Sequence, residues 1–211
     1  MLITRVLSKA YIAIRYIIRE HRINELYCSQ WLNLYLVHAL KTKGRNDIKS
    51  EGTLTELIDN NKRILKFRLR KETINKFVQL VSAEKVPKYI NILRVIIVCD
   101  GEPMQRNQRE ISKLLLKDQK MRERLLYRIR INGQEVEINI TLSNDDWMNL
   151  KDLEKNTKLL DTNKNYSFFY FFTSLTRLLG DLCLNRNYLA IEVLNDLISF
   201  DICTKIITSQ G

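Results

Sequence analysis

A mostly α-helical fold, built as a solenoid of stacked helices with one inserted β-hairpin, is predicted from three observations. Only 6 Gly and 2 Pro punctuate the 211 residues, too few for an all-β sandwich with a turn about every 8–12 residues. Short segments with apolar residues every three or four positions succeed one another through most of the chain. One stretch alone switches to period two. At 45% hydrophobic and 28% charged residues the composition is that of an ordinary globular protein, which excludes a disordered or collagen-like chain; one continuous domain over 1–211 is expected.

The first helix places Leu7, Tyr11, Ile14 and Ile18 on one face, and Leu26, Tyr27, Trp31, Leu34 and Leu40 start a second amphipathic segment. Thr42 to Gly52 reads as the first loop. Thr53 and Glu56 have capping-box spacing, so a third helix is expected to begin there, to carry Leu54, Leu57, Ile58, Ile64 and Leu65, and to end in the basic run Lys62 to Lys71. Ile74, Phe77, Val78 and Val81 mark a fourth helix. Pro87 opens a fifth with Tyr89, Ile90, Leu93, Ile96 and Ile97, and Asp100-Gly101 stops it. Tandem helices of this kind, each apolar on a broad face and none apolar all round, bury themselves pairwise against neighbours as an α-solenoid. No exact repeat is visible, so the repeats are expected to be degenerate.

Residues 125–142 break the helical period. Tyr127, Ile129 and Ile131, then Val136, Ile138 and Ile140, alternate with polar residues on either side of Asn132-Gly133, which predicts a hairpin with a type I′ turn at that dipeptide. Ser143 with Asn144-Asp145-Asp146 is expected to start a helix containing Trp147, the aspartates serving its N-terminal dipole rather than forming an acid/base pair. Residues 151–165 are polar and read as a flexible loop. Phe168, Phe172, Leu175, Leu179 and Leu182 then form a core stripe; as a base-stacking platform the cluster would need interleaved cations, and Arg177 stands alone there.

Chemistry-bearing patterns are few. His21 and His38 are too few for a histidine metal centre, and Cys28, Cys99, Cys183 and Cys203 form no CxxC pair, so neither a metal nor a cofactor is expected. Each cysteine lies in an apolar stretch and reads as a small buried hydrophobe in a reducing, cytosolic compartment. No glycine-rich phosphate loop occurs, and no nucleophile, base and orienting group form a constellation, so an enzyme is not expected. Basic residues among 5–19 share a pattern with transit peptides, but the apolar spacing runs on without a cleavage-like site. No apolar run reaches the length of about 20 residues that spans a bilayer. Charge is uneven: residues 1–130 hold 28 Lys and Arg against 13 Asp and Glu, and residues 131–211 hold 7 against 11. The basic part could attract anionic surfaces, and a free-standing basic helical-repeat protein binding nucleic acid or anionic membrane is the alternative reading of function.

Three segments in order carry a family resemblance. They are Leu57-Ile58-Asp59-Asn60-Asn61-Lys62-Arg63-Ile64-Leu65 with the helix from Ile74 to Val81; Val98-Cys99-Asp100-Gly101-Glu102-Pro103-Met104-Gln105-Arg106-Asn107-Gln108 with Ile111 and Leu115; and Leu182-Cys183-Leu184-Asn185-Arg186-Asn187-Tyr188-Leu189-Ala190-Ile191. Together they resemble the homology domain shared by inositol trisphosphate receptors and ryanodine receptors, the RIH domain, and the third is most similar to the inositol trisphosphate receptor branch. The resemblance covers roughly residues 16–120 and 165–207. It implies an armadillo-like fold and a cytosolic, non-enzymatic module of a calcium-release channel at the cytoplasmic face of the endoplasmic reticulum, coupling ligand binding to gating with the channel's other domains as partners.

Read without the family, Asp100-Gly101 is a helix stop, Pro103 a first-turn proline, Asn107 and Gln108 early helix positions able to satisfy orphan backbone groups, and Arg186-Asn187-Tyr188 a turn between helices. For the ligand, the resemblance implies a Tyr-Arg-Lys triplet on Glu20-His21-Arg22-Ile23. Only Arg22 matches, with His21 and Ile23 in the flanking places. Arg22 is therefore expected to be a weak, partial inositol-phosphate site, inositol trisphosphate binding only if a β-trefoil precedes the chain, and the chain is expected to lack the pore.

Overall fold

The computed structural model describes residues 2–41, 48–83, 85–139, 146–153 and 164–208, with side chains except at 40, 41 and 164–167. It is mostly helical with two small antiparallel sheets. The helices are α1 (Leu2–Ile18), α2 (Arg22–Cys28), a 3-10 turn (Ser29–Trp31), α3 (Leu32–Lys41), α4 (Ser50–Ile58), α5 (Lys62–Phe67), α6 (Lys71–Ala83), α7 (Pro87–Ile97), α8 (Gln105–Ser112), α9 (Gln119–Leu125), α10 (Lys164–Cys183), α11 (Tyr188–Leu197) and α12 (Phe200–Thr208). A π-helical turn, Lys113–Lys117, prolongs α8 and buries Leu115 and Leu116. Among the described residues no helix is long and apolar enough to cross a membrane.

Four helices form a row: α1 packs on α4, α4 on α7, and α7 on α10. Apolar stripes supply the adhesion, with Tyr11 and Ile18 of α1, Leu54, Leu57 and Ile58 of α4, Ile90, Leu93, Ile96 and Ile97 of α7, and Phe171, Leu175, Leu178 and Leu182 of α10 all buried in one core. An ion pair clamps each contact. Arg15 and Arg19 reach Glu56 at 2.9 and 3.3 Å between α1 and α4, Lys88 reaches Glu51 at 3.1 Å between α7 and α4, and Arg94 reaches Asp181 at 2.6 Å between α7 and α10. The predicted faces of α1, α6 and α7 hold, and Pro87 sits in the first turn of α7 as expected.

Several sequence expectations are corrected. The helix expected to run from Thr53 to the basic run is two helices, because Asn60 turns left-handed (φ 48°) and Asn61 caps α5 by accepting from the Ile64 amide at 3.1 Å. Helix α4 begins at Ser50, so Ser50–Gly52 are not loop, and 42–47 lie outside the described residues. The capping box is absent: Thr53 is buried inside the helix, its Oγ1 donating to Tyr11 O at 2.8 Å, while Glu56 takes the two arginines. In the second segment Tyr27, Trp31 and Leu34 are exposed and Leu32, Tyr35, Leu36 and Ala39 are buried, since the 3-10 turn rotates the apolar face. Cys203 is exposed rather than buried.

Period two does produce a hairpin, β3 (Ile129–Asn132) with β4 (Glu135–Asn139), but its turn is Gly133-Gln134. Ile131 then faces Val136 and Ile129 faces Ile138, which keeps the apolar residues on one face; turning at Asn132-Gly133 would set Ile131 against a polar residue. Only Gly133 has positive φ (60°), the pattern of a type II′ rather than type I′ turn. Trp147–Asn149 is a third strand, β5, paired with β4, and not the helix expected there; Ile140, Leu142, Ser143, Asn144 and Asp145 lie outside the described residues. Strand pairing gives the Trp147 ring a partner across the sheet in Arg130, 4.0 Å from its centroid. Of the expected loop 151–165, residues 151–153 and 164–165 are helical and 154–163 lie outside the described residues. A second hairpin was not anticipated: Val98–Cys99 (β1) pairs with Glu102–Pro103 (β2) around Asp100-Gly101, both with positive φ (52° and 76°). Pro103 is thus a strand residue, with Met104 between it and α8.

Candidate functional site

Helix ends leave carbonyls without intrahelical partners, and buried ones must be satisfied. The start of α8 does this for three other helices through three consecutive side chains. Arg106 Nη1 donates to Lys66 O in the last turn of α5 at 3.1 Å. Asn107 is fully buried, and its Nδ2 donates to Ile96 O in the last turn of α7 at 3.0 Å and to Leu65 O of α5 at 3.4 Å. Gln108 Nε2 donates to Asp181 O in the last turn of α10 at 2.9 Å and to Leu184 O at 3.4 Å. From the other side, Asn187 Nδ2 donates to Leu182 O at 2.9 Å and to Ser112 Oγ at 3.0 Å, stitching the start of α11 to the end of α8.

The same thread continues to the other end of the molecule. Asn60 Oδ1 accepts from the Asp100 amide at 2.9 Å, and Asn61 Nδ2 donates to Glu25 Oε2 at 2.5 Å. Glu25 is 3% exposed, and the same oxygen accepts from Arg22 Nη1 at 2.9 Å. All three segments that carry the resemblance, together with the Arg22 stretch, therefore meet as one set of polar staples. The expectation that Asn107 and Gln108 satisfy orphan backbone groups holds, although the groups belong to distant helices rather than to their own.

Arg22 lies at the lip of a cleft of about 480 Å³, with Ile23 and Leu26 on its own wall and Asn60, Asn61, Lys62, Arg63 and Asp100 on the other. The hydrogen bond to Glu25 raises the Arg22 pKa further, so the guanidinium stays charged. His21 is engaged within its own helix: its Nδ1 accepts from the Asn24 amide at 3.3 Å as the N-cap of α2. Ile23 points to solvent, 76% exposed. Lys62 and Arg63, which sequence reasoning did not attach to Arg22, bring two more cations to the cleft, but the Glu25 and Asp100 carboxylates offset two of the three charges. Burial raises the nearby Asp59 carboxyl, with the negative charge of Glu56 adding to it, and burial likewise raises the Cys99 thiol next to Asp100. A multiply phosphorylated ligand would thus meet a cleft of small net positive charge, open to solvent. The residue that joins the two walls is Asn61, an amide side chain three residues before Ile64 and so at capping distance, but its Glu25 partner lies 36 residues away, beyond any local pattern.

Comparison with known proteins agrees with the resemblance. Residues 2–128 match the family model described as the RIH domain. Over 152 residues, 72% of this chain, it is 26% identical to the inositol 1,4,5-trisphosphate receptor-like protein A of Dictyostelium discoideum, of which the match covers 4%. Over 146 residues, 69% of this chain, it is 25% identical to the inositol 1,4,5-trisphosphate receptor itr-1 of Caenorhabditis elegans, of which it covers 5%. The chain spans about one-twentieth of the length of these relatives.

Proposed function

Because the chain belongs to the RIH-domain family and is a distant relative of inositol trisphosphate receptors, we propose that it is a non-enzymatic, armadillo-like α-solenoid module of an intracellular calcium-release channel. Its task is to couple ligand binding to gating from the cytoplasmic face of the endoplasmic reticulum, with other channel domains as partners. The solenoid reading draws on the row α1, α4, α7, α10, in which every third helix up to α7 begins a new unit, at residues 2, 50 and 87. That spacing is near the roughly 40–47 residues of armadillo-type repeats. The lengthening before α10 is where the three-stranded sheet is inserted.

The observation that carries the coupling role is the triplet Arg106-Asn107-Gln108. One short helix holds the ends of α5, α7 and α10 by hydrogen bonds, so none of these ends moves without disturbing the other two. Such a joint passes displacement through packed, discrete contacts. The native polypeptide tests the proposal: an antibody to this chain should detect a very large product fractionating with membranes, and a soluble product of this chain's own length would favour the basic helical-repeat reading. For the ligand, Arg22 with Lys62 and Arg63 supports weak, salt-sensitive inositol trisphosphate binding. Isothermal titration at physiological salt should show no submicromolar site, and saturable submicromolar binding abolished by Arg22→Ala would overturn this.

A further inference from the structure

The outward face of α5 consists of Lys62, Arg63, Lys66 and Phe67, all exposed, while Ile64 and Leu65 are buried. Arg68 and Arg70 follow, also exposed, and Arg106 packs against this helix through Lys66 O. None of these six cations forms an ion pair with a carboxylate among the described residues, in contrast to the arginines and lysines that clamp the helix row. Two large apolar side chains stand in the same patch and point to solvent. Phe67 is 77% exposed, and Ile23, across the cleft from Lys62 and Arg63, is 76% exposed.

We propose that this face docks on an anionic lipid bilayer, with Phe67 and Ile23 entering below the headgroups and the cations between them at phosphate level. The inference is independent of the coupling role and of inositol trisphosphate binding. Charge complementarity calls for an extended negative surface, because six cations spread over one helix and its flanks exceed what one small ligand can meet. Both apolar side chains are about three-quarters exposed, Phe67 on the outer face of α5 and Ile23 at the rim of the cleft, which suits insertion into a bilayer better than reception of a peptide side chain. Lys and Arg stems also let their charges stay at the headgroups while the apolar tips go deeper. Nucleic acid is disfavoured, since Phe67 is the lone aromatic among these cations and offers no succession of stacking faces.

The test is cosedimentation of the chain with vesicles of phosphatidylcholine, with and without phosphatidylserine, at physiological salt. Binding should require phosphatidylserine and fall as salt rises. Each cation near an anionic surface contributes about a fivefold change in partitioning, so Lys62→Gln/Lys66→Gln/Arg70→Gln should lower it about a hundredfold. Phe67→Ala should lower it about tenfold at unchanged charge. The triple variant Lys117→Gln/Lys120→Gln/Arg124→Gln, with the same net charge change outside the patch, should bind nearly as wild type. All of these side chains are exposed, and unchanged circular dichroism of the variants checks their folding. Absence of binding to phosphatidylserine vesicles, equal loss in the two triple variants, or no effect of Phe67→Ala would each overturn the proposal. So would preferential capture of polyglutamate or of duplex DNA through the same residues.

Discussion

Replacing Gln108 with leucine should destabilise the protein by about 2 kcal/mol although no charge and little volume change. Gln108 is 2% exposed, and its Nε2 serves Asp181 O at 2.9 Å and Leu184 O at 3.4 Å. Each of the two lost bonds removes about 1 kcal/mol of net stabilisation, and Asp181 O keeps only the longer bond from the Leu184 amide at 3.4 Å. For a chain of this length that is roughly 4–8 °C in the apparent midpoint of thermal unfolding. Gln105→Leu, an exposed change in the same helix, should stay within about 0.5 kcal/mol. Gln108→Glu sharpens the test. A buried carboxylate facing carbonyls has a folded pKa raised above the unfolded value of about 4.3, so its penalty is absent below that value and grows as pH rises towards the folded pKa. Circular-dichroism melts and amide exchange at residues 184–188 give the readouts. If Gln108→Leu melts with Gln105→Leu and exchange past α10 is unchanged, the stapling argument fails.

Other consequences follow from the same geometry. Thr53→Val keeps the shape but deletes the buried hydroxyl donor to Tyr11 O, and urea unfolding should report a loss of about 1–2 kcal/mol. Burial pushes the Glu56 pKa up, but hydrogen bonds from Arg15 and Arg19 outweigh it and hold the group below its ordinary value. Its contribution is therefore full above the unfolded pKa of about 4.3 and is lost as pH falls through the folded value, so Glu56→Gln should flatten the acid limb of the stability curve below about pH 4.3 and leave its slope near pH 7 unchanged. Gly101→Ala meets no atom within 4 Å, so backbone strain at φ 76° alone should cost about 1–2 kcal/mol; a neutral result would show that the turn relaxes. Gly133→Val should raise amide exchange within the β3–β4 hairpin, since φ 60° resists a β-branched residue, and unchanged exchange would remove the proposed turn.

The sequence by itself determined what depends on neighbours along the chain. The faces of α1, α6 and α7, the Pro87 start and the existence of the β3–β4 hairpin rest on periodicity and on residue preferences, which are local properties. The motifs of the RIH family were legible for the same reason. Only the tertiary structure decided what these motifs do. Asn107, Gln108 and Asn187 read as early helix or turn positions, yet their partners lie between 5 and 76 residues away, and no pattern in a single sequence encodes which distant carbonyl a side chain will satisfy. Thr53 and Glu56 show the cost of a purely local rule: their spacing fits a capping box, but burial of α1 against α4 gives both side chains stronger partners there. The hairpin register was settled by the choice of which face to bury, and β5 by an open strand edge on β4 that Trp147–Asn149 completes. The cleft at Arg22 belongs to the same class, because its two walls are joined by a buried Glu25 of α2 that accepts from Asn61, the N-cap of α5, 36 residues away.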